Sequence, residues 1–250
     1  MILALSVVLI MSARIARGDD ASQTFSSPAN GYSITFPAGW KRVPEEDVQK
    51  MVVLVHKSPS AQNLSWEAVY QAPDGATSFS YPYVILQVAS YGGREIDNAG
   101  IQSAVTAMTG SHFKPVMPHT GNEAMDLALS NASVGVAQYD AGNHVVYQPI
   151  NLDVPGVGNV KGLIISHFGR SALVSVMCYD RVDDFAKSRP TFDQIAGSFQ
   201  FDGAAAFVPH SAFWEKVGGG AMRGAVFGGL IGAIVGGIMW LKRRKANRVA

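Results

Sequence analysis

The stretch VKGLIISHFGRSALVSVMCY, residues 160–179, contains two apolar runs on either side of Gly169, Arg170 and Ser171. Short runs rich in valine, isoleucine and leucine are typical of buried strands. A connection of three residues that contains glycine is typical of a β-hairpin. The stretch therefore predicts two strands, 160–168 and 172–179, that pair in antiparallel fashion.

A second hairpin is predicted just before the first. Residues 134–139 and 144–150 resemble strands, and the loop between them contains Gly142. Residues 155–159 hold a further turn, which links the two hairpins. Four more strands are predicted nearer the N-terminus, at 32–36, 51–56, 64–70 and 83–89.

Three segments have helical features. Residues 97–108 carry an apolar stripe at helical spacing, and Asp97 or Asn98 can cap the first turn. The acidic residues after Pro44 predict the first turn of a short helix. Residues 182–199 also show helical spacing, but Pro190 predicts two short helices or a kink there. The apolar stripe of residues 97–108 consists of Ile101, Ala104, Val105 and Met108.

The order of these elements predicts the fold class. Strands, a helix, hairpin-linked strands and a closing helix indicate an α+β domain, in which helices flank a mainly antiparallel sheet. We assign this domain to residues 24–202 and a linker of small residues to 203–220. About 180 residues are enough for one domain with its own hydrophobic core.

Composition restricts the classes of function. The chain has 250 residues and a formal net charge of +1, and its positive residues are concentrated near the C-terminus. The rest of the chain is slightly acidic, so the sequence does not predict a nucleic-acid partner. Cys178 is the one cysteine, which excludes an internal disulfide. In its apolar surroundings we interpret it as a small buried hydrophobic residue; the alternative is a reactive or pairing thiol.

The first 21 residues are interpreted as a signal peptide. Residues 1–11 are apolar but too short to span a bilayer, and small residues follow them. This arrangement is typical of a secretory signal that is cleaved near Gly18 or Ala21. The prediction is that the folded domain is exported.

Residues 221–241 are predicted to form one transmembrane helix. From Gly224 to Leu241 the chain contains no charged residue, which is close to the minimum for crossing a bilayer. The basic tail 242–250 follows, and its positive charge predicts that the C-terminus stays in the cytoplasm. The residues that set this orientation are Lys242, Arg243, Arg244 and Lys245.

Glycine recurs at every fourth position of this segment. Such spacing places the glycines on one face of a helix, where another helix can approach closely in lipid. We therefore expect this helix to self-associate or to pack on a partner helix within the bilayer. The alternative is that the glycines reflect composition alone. The residues concerned are Gly220, Gly224, Gly228, Gly232 and Gly236.

Two segments carry a resemblance to a known family. Residues 29–40, ANGYSITFPAGW, and 184–199, DFAKSRPTFDQIAGSF, resemble the opening and closing segments of PsbP-like domains. The resemblance implies an α/β/α sandwich around an antiparallel sheet. That family includes photosynthetic accessory subunits, bacterial proteins of unknown role and nuclear-import factors, so the resemblance implies no activity. The C-terminal membrane helix departs from the soluble photosystem subunits.

The sequence contains no established catalytic or metal-binding motif. The six histidines do not follow the spacing of a metal site, and the glycines near Gly156 do not match a dinucleotide-binding loop. No cofactor is therefore predicted. Acidic residues cluster after the last predicted strand, and we interpret them as carboxylates at a helix start, with a cation site as the alternative. The cluster consists of Asp180, Asp183 and Asp184, together with Arg181 between them.

These observations lead to two hypotheses of function. The first is a membrane-anchored extracytoplasmic binding or assembly module without enzymatic activity. The second is a small-ligand carrier or an enzyme that uses a cleft beside the sheet. A flat face with exposed aromatic residues would favour the first, and a pocket with a perturbed titratable residue would favour the second. A tail-anchored protein of the opposite topology is a third alternative.

Overall fold

The computed structural model of the chain describes residues 21–55, 64–73, 75, 77–109, 127 and 130–208. These residues form an eight-stranded sheet and a three-stranded sheet in which the paired strands run antiparallel. The predicted α+β architecture, an antiparallel sheet flanked by helices, is thereby confirmed in outline.

The elements are as follows. The strands are β1 (Gln23–Ser27), β2 (Tyr32–Phe36), β3 (Lys41–Arg42), β4 (Leu64–Gln71), β5 (Tyr83–Ser90), β6 (Ser133–Val134), β7 (Gln138–Asp140), β8 (Val145–Val154), β9 (Gly158–Phe168), β10 (Ala172–Arg181) and β11 (Gln200–Phe201). The helices are α1 (Glu45–Val55), α2 (Asn98–Thr109) and α3 (Phe185–Gly197).

The large sheet is built on the meander β8–β9–β10. Its strand order is β3-β4-β5-β10-β9-β8-β6, and β7 also pairs with β8. The hairpin predicted at 160–179 is confirmed, since β9 and β10 pair from Phe168 opposite Leu173 onward. Gly156 and Gly158, in the turn between β8 and β9, have φ angles of 76° and 94°, a conformation that glycine adopts without strain.

The two faces of the large sheet bury two separate cores. Side chains alternate along each strand, so every central strand contributes to both cores. On one face α1 and α2 pack against the sheet, and the predicted stripe residues Ile101, Ala104 and Val105 are buried there. On the other face α3 and the small sheet β1-β2-β11 cover the strands. We call these faces the α1/α2 face and the α3 face.

The prediction of a strand at 51–56 is wrong, because residues 51–55 belong to the helix α1. Val48 is buried, Val52 packs against the same core four residues later, and Val53 is 62% exposed. This spacing is helical, whereas a strand would alternate in burial. A short apolar run does not distinguish the two structures by itself.

Of the two alternatives predicted at Pro190, two short helices are wrong, and a kink stays a prediction. A single helix, α3, contains this proline. Proline removes a backbone hydrogen bond and costs about 3 kcal/mol in a helix interior. Phe185 before it, and Phe192 and Ile195 after it, are buried against the sheet. Packing of both halves on one core therefore offsets the lost bond.

The strand predicted at 134–139 is divided in two. β6 pairs through Val134 with Ile150, and β7 pairs through Gln138 with Tyr147. Pro149 lies between these positions on β8 and has no N–H group to donate to the ladder. Its carbonyl accepts a hydrogen bond of 2.8 Å from the Gly135 amide instead. The ladder therefore bulges opposite the proline.

Several predicted segments lie outside the described residues. These are the signal peptide apart from Ala21, the C-terminal part of the linker, the transmembrane helix with its glycine row, and the basic tail. Among the helices that the structure does describe, none is long and apolar enough to cross a bilayer.

Candidate functional site

The α3 face is only partly covered. Neighbouring strands lie about 4.8 Å apart and a helix is about 10 Å wide, so one helix covers about two strands. α3 packs on β10, and the small sheet covers the β4 side, where Phe36 and Tyr70 stack with ring centroids 3.8 Å apart. On β8 and β9 the side chains of Tyr147, Pro149 and His167 remain half-buried.

This uncovered strip forms the floor of a groove beside α3. The groove has two adjoining parts with volumes of about 560 and 590 Å³. Tyr147 and His167 on the floor and Ala196 and Gly197 on α3 line both parts. Each part is within the size range of ligand pockets, and together they form one elongated groove.

His167 is the central polar group of the groove. Its ring stacks on Phe199, with centroids 3.9 Å apart and an interplanar angle of 17°. Burial lowers the pKa of His167 to about 3. Its Nε2 atom is itself buried and has no hydrogen-bond partner in the described part of the chain. The imidazole is therefore neutral at physiological pH and can donate one hydrogen bond and accept another.

His144 lies in the part of the groove that Phe199 also lines. Its Nδ1 atom is 3.1 Å from the Tyr139 hydroxyl, and its ring packs edge-on against Phe207. His144 has a φ angle of 54°, so the loop before β8 holds it in a conformation that is uncommon for residues with a side chain. Two histidines, His144 and His167, therefore line this part of the groove. Among the residues that the structure describes, no three side chains that could bind a metal ion lie together.

The α3 side of the groove carries a balanced pair of charges. Arg189 Nε and Asp193 Oδ1 are 2.8 Å apart, and both side chains are about half exposed, at 44% and 51%. The pair makes this wall polar without giving it a net charge. A ligand of either sign therefore gains little from long-range attraction at this wall.

The interpretation of Cys178 is confirmed. This residue is fully buried in the core of the α3 face, between neighbouring strands. Burial raises the pKa of the thiol well above its usual range. A thiolate is the reactive form, so the structure makes this cysteine a packing residue.

The acidic cluster runs from the end of β10 to the residue before α3. Asp180 is buried and accepts hydrogen bonds from the Ser188 hydroxyl and the Arg181 amide, and burial raises its pKa. Asp184 is 2.7 Å from Lys187, whose hydrogen bond lowers the pKa of the carboxyl. These contacts agree with the interpretation of carboxylates at a helix start. They bring no further oxygen ligands together for the alternative, a cation site.

The sequence alone did not identify His167 as a site residue. Its position in the strand places it on the same face as Leu163 and Ile165. From the sequence we interpret it only as a solvated or strand-surface histidine. The groove depends on which strands α3 leaves uncovered, and no local pattern encodes that. The predicted helix-packing glycines and the orientation-setting basic residues lie outside the described part of the chain.

Comparisons with known proteins give weak likenesses only. No protein-family model and no curated protein sequence matches the chain. Among solved structures it is similar to cyanobacterial PsbP (CyanoP) from Synechocystis sp. PCC 6803, with 15% identity over 74% of this chain and 95% of that chain and a TM-score of 0.43. It is also similar to a protein of Bacteroides thetaiotaomicron VPI-5482, with 9% identity over 72% of this chain and 48% of that chain and a TM-score of 0.40. At these values neither likeness establishes a shared fold or function.

Proposed function

We propose that this protein is a non-enzymatic, membrane-anchored binding module that holds a partner protein in the groove beside α3. The observation that carries the proposal is the uncovered strip of β8 and β9, with His167 at its centre. In this proposal the predicted helix at 221–241 anchors the module, and the predicted signal peptide and basic tail imply that the domain lies outside the cytoplasm.

The groove suits an extended segment of a protein chain. Its two parts follow one another along the floor and exceed 500 Å³ each. Leu163, Ile165 and Pro149 offer an apolar floor for side chains of the segment. The neutral imidazole of His167 can bond to a backbone amide or carbonyl without the cost of burying a charge.

The position of the groove favours a partner in the same membrane. Phe207 lines the groove, and the next residue, Val208, is the last that the structure describes. Residues 209–220 connect it to the proposed anchor, and a fully extended linker of that length reaches at most about 40 Å. The groove therefore stays close to the bilayer surface.

A glycine on the wall of the groove provides the test. A Cβ atom at Gly197 would meet no atom within 4 Å, and the same holds for Gly203, which does not line the groove. Gly197→Trp fills the groove, and Gly203→Trp is the matched control. We expect Gly197→Trp, and not Gly203→Trp, to reduce capture of a membrane partner at least tenfold in pull-downs of the full chain from solubilised membranes.

A photo-reactive residue at Asn143, on the groove rim, identifies the occupant independently. Irradiation of intact membranes should produce one main cross-linked protein, and Gly197→Trp should abolish it. If no cross-linked protein forms, or if Gly197→Trp leaves it unchanged, the groove is not the binding surface. Protease treatment of intact cells or spheroplasts tests the topology separately, because an exported domain is digested.

The small-ligand carrier or enzyme is a second candidate, which the perturbed pKa of His167 favours. It differs from the first in the size of the occupant. A small molecule in the groove would occupy the space beside the photo-reactive residue at position 143, and irradiation would then produce no cross-linked protein. The same cross-linking experiment therefore separates the two candidates.

A further inference from the structure

The chain leaves the folded domain at one end of the groove. The Arg170 amide donates to the Ala205 carbonyl over 2.9 Å, which holds the departing chain against the large sheet. Phe207 then lines the groove, and its ring packs edge-on against His144, with centroids 4.6 Å apart. The described part of the chain ends one residue later, at Val208. The segment that follows therefore begins beside the groove.

This segment carries two large aromatic side chains. Residues 209–216 read PHSAFWEK, and we call them the aromatic segment. Phe213 and Trp214 are the largest side chains between Val208 and the predicted membrane helix, in a linker made mainly of small residues. Each can bury about 150–250 Å² of surface, so both gain much from contact with an apolar surface. A segment that served only as a spacer would not need them.

The groove offers such a surface. The volumes of its two parts, about 560 and 590 Å³, are in the range that holds a drug-sized molecule, so a phenylalanine or tryptophan side chain fits into either part. Aliphatic and aromatic residues from the floor and from the small sheet contribute most of the apolar lining. They include Pro149, Leu163, Ile165, Phe199, Phe201 and Phe207.

The aromatic segment is long enough to lie along the floor of the groove. From His167 to Leu163 the floor follows four residues of β9, which is a distance of about 13 Å. Trp214 is six residues after Val208, and six extended residues span at most about 20 Å. Both parts of the groove therefore lie within reach of Phe213 and Trp214.

The short connection and the charges favour this segment over other occupants. A group on a short flexible tether has an effective concentration of about millimolar beside its site. The segment ends in Glu215 and Lys216, a balanced pair, and the wall of the groove carries the balanced pair Arg189 and Asp193. Glu215 and Lys216 also separate Trp214 from the predicted membrane helix, whereas aromatic residues of a membrane interface flank the helix directly.

We propose that the aromatic segment lies in the groove and places Phe213 and Trp214 against its apolar lining. The segment then covers the surface on which a partner protein binds, so a partner must displace it. Occupation by the segment lowers the apparent affinity for the partner by the fraction of chains whose groove is free. This regulatory role rests on the proposed function, whereas the docking of the segment does not require a partner.

Photo-crosslinking within one chain tests the docking. The probe replaces Gln138, an exposed residue that lines the part of the groove remote from Phe207. The purified full chain is irradiated in detergent, and cross-linked peptides from the monomer band are identified by mass spectrometry. We expect the main cross-link to join position 138 to residues 212–216.

The two glycine variants supply the controls for the docking. Gly197→Trp fills both parts of the groove and should reduce the cross-link at least tenfold, whereas Gly203→Trp, outside the groove, should leave it unchanged. If the wild-type chain forms no cross-link to residues 212–216, or if Gly197→Trp leaves that cross-link unchanged, the proposal is overturned.

Capture of the membrane partner tests the regulatory role. Phe213→Ser combined with Trp214→Ser should abolish the cross-link and increase capture at least threefold, because the groove is then free. Both positions lie beyond the domain assigned to residues 24–202, and Ala212→Ser in the same segment is the matched control. Loss of the cross-link without increased capture would overturn the regulation. If no variant captures a partner while the cross-link persists, the proposed function fails and the docking stands.

Discussion

His167 makes the stability of the domain sensitive to acid. Burial keeps its imidazole neutral down to a pH of about 3, whereas in an unfolded chain it takes up a proton near pH 6.5. Between these values the unfolded state binds one more proton than the folded state. Its contribution to stability is therefore complete above pH 6.5 and is lost as the pH falls toward 3.

We predict that the free energy of unfolding falls between pH 7 and pH 4.5 by up to about 3 kcal/mol because of this residue, since one pKa unit corresponds to about 1.4 kcal/mol. His167→Phe removes the ionisable group, and its stability should depend less on pH in this range. Urea denaturation at both pH values measures the difference.

His144→Asn is the matched control for this prediction. Asparagine tolerates the left-handed backbone conformation of His144, so the variant should fold. It should keep the acid sensitivity of the wild type. Equal acid sensitivity in His167→Phe and the wild type would show that the imidazole of His167 is not held neutral by the fold.

At the scale of elements, one carboxylate joins the two sheets. Glu67 lies at an irregularity of β4 between Trp66 and Ala68, and it is half-buried. It accepts hydrogen bonds from Ser27 at the end of β1, and from Asn30 and Tyr32, in the turn and at the start of β2. Burial and the bond to Glu67 raise the pKa of the Tyr32 hydroxyl. Glu67 therefore fixes the N-terminal hairpin on the large sheet.

We predict that Glu67→Ala lowers the free energy of unfolding by about 3 kcal/mol, because it removes three hydrogen bonds and leaves the buried Tyr32 hydroxyl unpaired. Amide hydrogen exchange should increase more in β1 and β2 than in β9 and β10, because the hairpin loses its link. Denaturation in urea and exchange measurements test the two parts of this prediction.

Glu46→Ala, at an exposed position of α1, is the control, and it should change stability by no more than about 0.5 kcal/mol. Uniform acceleration of exchange across both sheets in Glu67→Ala would contradict a specific link between the hairpin and β4.

At the scale of the whole molecule, the predicted membrane helix would bring two chains or two different proteins together. In such a helix the glycine row would present a smooth surface to a neighbouring helix in lipid. We predict that replacing Gly228 and Gly232 by leucine reduces cross-linked dimer in membranes at least fivefold, because leucine prevents close approach of the backbones.

Gly229 and Gly237 supply the control for this experiment. They lie in the same segment but outside the four-residue spacing, so leucine there should leave the dimer in place. If both double variants lose the dimer equally, the loss reflects a general change in the helix. If the wild type forms no dimer, the glycine row does not serve self-association.

The sequence determined those features that depend on local patterns. Alternation located β2 and β4, since a strand with one buried face repeats every two residues. Continuous apolar runs bounded by turns located β5, β9 and β10, which are buried on both faces. An apolar stripe and a cap at Asp97 or Asn98 located α2, and the structure shows that Asp97 accepts the capping bond. The predicted signal peptide and membrane helix rest on composition alone, because solvent and lipid select residues by hydrophobicity.

Tertiary structure decided what the local patterns leave open. The apolar run at 51–55 is helical because Val48 and Val52, one helical turn apart, pack in the core of the α1/α2 face. The helix α3 continues through Pro190 because residues in both of its halves are buried against the sheet. The groove exists because one helix is too narrow to cover the α3 face. It depends on contacts between residues far apart in the chain, and only the folded structure brings those residues together.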